Sequence, residues 1–395
     1  MTLFFADGIN DSFISTMFAV HCKKEYDASQ FIIGLCLAAN DFGVIIGAII
    51  FSKAKSVTFN CITGSMLSGL SMISVAFADS FQEIYFQIIS LAALFFAGMF
   101  TSLFWIFGFT ALSIFRKDIE SLLYSSAMAT WNLGLVIGPA VATLINAHFN
   151  YVITIASAGC IQIVLTIILG TYLVFQNLGK TERSEFESPK NPYACLKNMS
   201  FIVFVASQFL VAMIGGFYQP VLVPLLKMEF EISSNNIAYI LSSSSIIALI
   251  STTSTIYFCK KNLARELFLL AVVLDFIGMI AIYSFKNIYS FLFGCFAHSI
   301  SASAVITSVR VLLPMIFDEI YGEQYKQWSS IKSSSLYVFN FSIAGIIGKT
   351  IFGGILIDFV TFYVGCFIIS TFMSFQTSSA CFDYLSYRNK NPKCS

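Results

Sequence analysis

Several ionisable side chains lie inside long apolar stretches of the sequence. Asp7 and Asp11 stand four residues apart, with Asn10 between them. Residues at this spacing share one face of a helix, so the three polar groups form a candidate site for a proton or another cation. A charge at bilayer depth costs about 3 kcal/mol on insertion scales, which makes such residues functional candidates. Two alternatives stay open: Asp11 pairs with a basic residue on another helix, or the start of the helix is hydrated around Asp7.

Asp41 and Lys349 are intramembrane charges of opposite sign. Asp41 lies among small residues, too deep in its apolar run for a short side chain to reach water, and Lys349 is flanked by glycines near the middle of another run. A buried lysine needs an acidic partner, for which Asp41 and Asp11 are the candidates. A bridge that breaks and re-forms would favour one conformer at a time. An anionic substrate is the alternative partner of the lysine.

His298 and Arg310 occupy one apolar run with different expected roles. Because imidazole titrates near neutrality, His298 is a candidate proton relay, and a purely structural histidine is the alternative. Arg310 precedes Pro314, and its long side chain is expected to extend to the aqueous interface. Further polar residues are candidate substrate contacts by position alone: Trp131, Asn132, Gln219, Tyr337 and Asn340.

The elements that carry these residues are membrane spans. Of the 395 residues, 57% are hydrophobic and 11% are charged, whereas about a quarter of a typical globular domain is charged. Apolar runs of roughly 20 residues recur, and at ~1.5 Å per residue each can cross a ~30 Å hydrocarbon layer. The sequence therefore predicts an all-α integral membrane protein that has the lipid bilayer as its main partner.

The alternation of apolar runs and polar breaks predicts twelve transmembrane helices in two six-helix bundles. Residues 1–175 form the N-terminal bundle, 176–199 a cytoplasmic linker, 200–383 the C-terminal bundle and 384–395 a cytoplasmic tail. The spans lie near residues 2–21, 30–51, 57–78, 84–113, 122–146, 150–175, 200–225, 235–258, 266–285, 288–317, 333–357 and 359–383. Lysine and arginine concentrate on the side that holds both ends, which predicts cytoplasmic termini. We expect a multi-pass protein of the plasma membrane or an intracellular vesicle membrane.

Composition and missing motifs narrow the function. A net charge of +1 without a basic block argues against a nucleic-acid partner. Hydrolase, nucleotide-binding and zinc motifs are absent from the sequence, so we expect neither an enzyme nor a cofactor or metal site. The ten cysteines are scattered singly and are interpreted as packing residues.

The fifth span reads NLGLVIGPAVATLI, in which Gly134 and Gly138 stand four residues apart and Pro139 follows. Small residues at this spacing let two helices approach closely, and proline bends a span. The run resembles the antiporter motif of the major facilitator superfamily, and ordinary close packing is the alternative interpretation. The FFADGINDSFI opening resembles the vesicular amine and polyamine transporter branch. That resemblance implies a major facilitator fold, with Asp7 helping to receive a cationic substrate.

Two functional hypotheses follow. The first is a monomeric secondary transporter that moves a small organic solute, such as a cationic amine or drug-like molecule, by alternating access with protons as the coupled ion. In it, Asp11 and Asp41 handle the cation or proton, Lys349 is the counter-ion, and Asn132, Tyr337 and Asn340 contact substrate. The alternative is a transporter-shaped sensor or partner-binding protein. Gly98, near a position where the resembling family has arginine, favours that alternative.

Overall fold

The computed structural model describes residues 1–51, 56–115, 120–175, 189, 191–260, 263–322, 325–357 and 362–390. These residues form twelve long helices and, within those ranges, no strand. Most of the predicted linker, residues 176–188 and 190, lies outside the described residues, as does the predicted tail after Lys390. The fold class expected from the sequence, an all-α membrane protein with twelve long helices, is confirmed.

Each predicted span overlaps one observed helix. The helices are α1 (Thr2–Tyr26), α2 (Gln30–Phe51), α3 (Val57–Ala78), α4 (Glu83–Phe115), α5 (Glu120–His148), α6 (Tyr151–Phe175), α7 (Met199–Met228), α8 (Ser234–Lys260), α9 (Ala264–Phe285), α10 (Ile288–Tyr321), α11 (Lys326–Ile347) and α12 (Phe362–Lys390). A π-helix, Gly348–Leu356, continues α11. The last helix runs past residue 383, so the first part of the predicted tail is helical.

Local sequence signals fix several helix ends. The Asn198 side chain accepts a hydrogen bond from the Phe201 backbone N–H at 3.1 Å and caps α7. Asn287 and Ser290 form a reciprocal capping box at the start of α10. At the C-terminal end of α1, Asp27 adopts the left-handed backbone conformation with φ 42°, which ends the helix.

The outer surface of the molecule is apolar. Ten of the helices in the described part of the chain are long and apolar enough to cross a membrane. The others are α1, whose hydropathy is lowered by Asp7, Asn10 and Asp11, and α8. Large side chains such as Phe59 and Phe375 are 65% and 71% exposed. The backbone hydrogen bonds are made within the helices, and these exposed side chains are apolar. This surface therefore faces lipid.

Helices α1–α6 (the N bundle) and α7–α12 (the C bundle) enclose separate hydrophobic cores. Phe13, Phe18 and Ile33 belong to one hydrophobic core of the N bundle. In the described part of the C bundle, one core includes Phe204 and another includes Phe217. The bundles meet mainly where α5 faces α8, where α2 faces α11 and its π-helical continuation, and where α1 faces α7. Residues on these helices are therefore placed to form a site between the bundles.

The π-helix is held tightly between the bundles. A Cβ added to Gly34 of α2 would lie 2.2 Å from the carbonyl oxygen of Lys349, and one added to Gly348 would lie 2.2 Å from that of Met213 on α7. Only glycine permits backbones to approach this closely. π-Helical turns frequently occur at functional sites, and this one places Lys349 at the bundle interface.

Candidate functional site

A cavity of about 170 Å³, the central chamber, lies between the two bundles. The N bundle contributes three acidic residues to its wall, and the C bundle contributes a lysine together with tyrosine and amide side chains. The polar lining residues include Asp7, Asp11, Asp41, Gln219, Tyr337 and Lys349. Most of the intramembrane charges singled out in the sequence thus line one space.

Lys349 and Asp41 form an ion pair across the bundle interface. The Lys349 Nζ lies 2.8 Å from the Asp41 Oδ2, and each side chain is only about 10% exposed. Of the two acidic partners expected for the lysine, the structure selects Asp41. The absence of a side chain at Gly345 leaves space for the Asp41 carboxylate, because a Cβ there would lie 2.6 Å from the same carboxylate oxygen.

The two acids of α1 differ in their surroundings. Asp7 is 7% exposed, and its Oδ2 accepts a hydrogen bond of 2.9 Å from the Trp105 indole N–H. Asp11 is exposed within the chamber and interacts electrostatically with Lys349 and Asp41. Asn10 belongs partly to another network, because its amide donates to Gln162 on α6. Asp11 is therefore the carboxylate most open to an incoming cation.

A second cavity of about 250 Å³, the polar chamber, adjoins the first and shares Asp41, Gln219 and Lys349 with it. Helices α2, α5, α7, α8, α10 and α11 and the π-helix form its wall. On this wall Asn132 of the N bundle donates a 2.9 Å hydrogen bond to Thr252 Oγ1 of the C bundle. Asn132, expected as a substrate contact, is thus also a link between the bundles.

His298 lies on the wall of the polar chamber beside a buried acid. Its Nδ1 lies 3.1 Å from the Oδ1 of Asp275, which is 1% exposed on α9. The sequence analysis missed Asp275, although an aspartate inside an apolar run is the same signal that singled out Asp41. The imidazole also meets the ring of Tyr218 edge-on, with centroids 5.3 Å apart.

Arg310 does not extend to the aqueous interface, and the expectation that it would is wrong. The residue is 7% exposed, with its guanidinium carbon 4.1 Å from the ring centroid of Phe109 and 3.8 Å from that of Tyr337. Aromatic faces attract a desolvated guanidinium strongly enough to compete with solvation. Since Phe109 belongs to α4 and Arg310 to α10, this contact also joins the bundles.

Asn340, expected to contact substrate, is turned away from both chambers. Its amide donates a 2.9 Å hydrogen bond to the backbone carbonyl of Val205 on α7, within the C bundle. It lines neither the central nor the polar chamber. A buried amide is stabilised by such a bond, and Asn340 is accordingly a packing residue here.

The glycines of the fifth span make direct contact with α1. A Cβ on Gly134 would lie 2.4 Å from the Phe5 carbonyl oxygen, and one on Gly138 would overlap the Ser12 hydroxyl. Gly8 approaches from the opposite side, since a Cβ there would lie 2.2 Å from the Trp131 carbonyl oxygen. Pro139 lies inside the same helix. This close contact of α1 and α5 orients Asp7 and Asp11 towards the chamber.

Across the described ranges, no three histidine, cysteine, aspartate or glutamate side chains converge as a metal site. Two facing six-helix bundles around a charged intramembrane cavity are the architecture of a solute transporter. The family model described as Major Facilitator Superfamily matches residues 1–315. The chain belongs to this superfamily and is a multi-pass integral membrane protein.

A comparison with solved structures agrees with this assignment. The Major Facilitator Superfamily transporter FucP, in its outward conformation, superposes with a TM-score of 0.64 over 96% of each chain at 13% sequence identity. At that identity the likeness shows the fold. A search of curated protein sequences finds no match.

Proposed function

We propose that the chain is a secondary transporter that carries a small organic solute by alternating access, the two bundles rocking around the paired chambers. The observation that carries this proposal is the Asp41–Lys349 ion pair, which joins the bundles at the wall of both chambers. A buried bridge between two moving bodies favours the conformer in which it is intact.

Three contacts between the bundles surround the chambers and would have to change during rocking. They are the Asp41–Lys349 pair, the Asn132–Thr252 hydrogen bond and the stacking of Arg310 on Phe109. Each joins buried side chains, and electrostatic interactions are stronger there than in water. Such contacts are either made or broken, which suits a transition between two discrete conformers.

The carboxylates of α1 are the proposed cation site. Asp11 faces the central chamber and interacts with both members of the ion pair. A proton or an amine that neutralised Asp11 would change the field at Lys349 and weaken or strengthen the bridge. We propose that a cation bound here, with Asp7 beside it, is coupled to solute movement.

The test is uptake by the purified protein in vesicles, with and without an imposed pH gradient. Radiolabelled amines, polyamines, sugars and organic anions are supplied outside, and uptake is expected for at least one class. Asp41→Asn should abolish that uptake. Asp27→Asn is the matched control, because Asp27 is an exposed carboxylate at the end of α1 that pairs with the neighbouring Lys23. Failure of the folded wild-type protein to take up any solute would contradict the proposal and favour a sensor.

A further inference from the structure

The polar chamber contains unused hydrogen-bonding capacity. The described residues that line it include Gln219, Ser245, Ser303 and Thr307, whose side chains make no hydrogen bond within the protein. Ser303 and Thr307 are only 7% and 2% exposed. Buried polar groups are normally paired, and these side chains on three helices face one space. Their natural partner is a molecule inside the chamber.

His298 adds a hydrogen-bond acceptor to the same wall. A carboxylate only accepts hydrogen bonds, so the contact with Asp275 places the hydrogen of a neutral imidazole on Nδ1 and leaves Nε2 as an acceptor. The Nε2 lies on the chamber side, because a Cβ added to Gly215, another lining residue, would be 3.7 Å from it. Asp275 thereby acts as a positioning residue for a ligand-facing acceptor.

The chamber has little charge of its own to offer. Among the described residues, its charged lining side chains are Asp41 and Lys349, which lie at the boundary with the central chamber and neutralise each other. Its remaining polar groups are hydroxyls, the amides of Asn132 and Gln219, the Trp131 indole and an imidazole. A cationic amine would find no free carboxylate among the described lining residues and would leave several buried donors and acceptors unpaired, which is unfavourable.

We propose that the polar chamber binds a neutral polyhydroxylated solute, and that this solute is the transported substrate. Each ligand hydroxyl both donates and accepts, which matches Gln219 and the three hydroxyl side chains, and one of them donates to His298 Nε2. The inference rests on the proposed transport function and names its substrate class. It leaves Asp7 and Asp11 for the coupled cation rather than for the solute.

Selectivity follows from the same geometry. A site built to pair with hydroxyl groups rejects analogues that lack them, because its own polar groups are then buried without partners. The proposal therefore excludes simple alkylamines as substrates of the polar chamber. It also predicts that each deoxygenated analogue binds more weakly than its parent.

The test is ligand binding to the purified, detergent-solubilised full chain, followed by intrinsic tryptophan fluorescence, to which Trp131 on the wall of both chambers contributes. The probes are D-glucose, D-mannitol and myo-inositol on one side, and spermidine and tetraethylammonium on the other. We expect saturable binding of at least one polyol, which the cations at matched concentration do not displace. Gln219→Leu and Ser303→Ala should each weaken it by about threefold to tenfold.

Ser243→Ala is the matched control, because Ser243 is exposed on α8 and does not line the chamber. Thermal melting of each variant separates a lost contact from a lost fold. Binding of cations but not polyols, or polyol binding unchanged in Gln219→Leu and Ser303→Ala, would overturn the inference. Amine uptake in vesicles without polyol binding would overturn it too while leaving the transport function standing. Polyol binding without any uptake would support the site and contradict transport.

Discussion

Lys349 of the C bundle lies 2.8 Å from the carboxylate of Asp41 in the N bundle, although the two are more than 300 positions apart in the sequence. Each side chain is shielded from water. The carboxylate occupies space that exists because residue 345 is glycine. The lysine stands in a π-helical segment pressed against α2. The ion pair is thus supported by the packing of both bundles.

Stability should depend on both members of this pair together. Replacing one partner leaves a buried charge uncompensated, so Asp41→Asn and Lys349→Met should each destabilise the folded protein by about 3–5 kcal/mol. The double variant should recover most of that loss, since no unpaired charge remains. Melting temperatures in detergent give the comparison, with Asp27→Asn as control. Additive losses in the double variant would show that the two residues are not coupled.

Gly345→Ala should impair transport. The added Cβ would lie 2.6 Å from the Asp41 Oδ2 and must displace the carboxylate from Lys349. Misplacing a functional group by about 1 Å can lower rates a hundredfold, so we expect at least a tenfold loss of uptake. Gly170→Ala is the matched control, because its Cβ would meet only Ile62, at an ordinary 3.6 Å. Equal uptake by the two variants would refute a role for the ion pair.

Gly134→Ala should destabilise the N bundle. The new methyl group would lie 2.4 Å from a backbone oxygen of α1, which cannot rotate away. Overpacking of this kind costs about 1–3 kcal/mol. The readout is the melting temperature, again against Gly170→Ala. An unchanged value would mean that α1 and α5 separate without cost, contrary to the packing described here.

Arg310→Met should loosen the contact between α4 and α10. A desolvated guanidinium on an aromatic face contributes about 2 kcal/mol or more, and Phe109 supplies such a face from the opposite bundle. A cysteine placed at Ser342, a buried residue lining the central chamber, should then react faster with an impermeant thiol reagent. Arg265→Met is the control, since Arg265 contacts Phe204, Tyr387 and Asp383, all within its own bundle. If both variants left the labelling rate unchanged, the Arg310 contact would not limit access.

The sequence by itself determined the membrane architecture. Hydrophobic runs of spanning length give the twelve helices, because a bilayer admits only segments that satisfy their own backbone hydrogen bonds. The same logic identifies Asp41 and Lys349 as significant, since a charge in hydrocarbon needs a partner. The four-residue spacing of Gly134 and Gly138 likewise predicts a close helix contact. These features are local patterns of residues, so the sequence alone is enough to identify them.

Only the tertiary structure decided which way each polar side chain faces. Arg310 stacks on Phe109 rather than reaching water, Asn340 bonds to Val205 rather than lining a chamber, and Asp275 holds His298. A helix that is apolar all round gives no periodic signal of its inward face. Its orientation is set by contacts with helices distant in sequence. For that reason the sequence identifies charged residues such as Asp41 and Lys349, whereas the polar chamber is visible only in the tertiary structure.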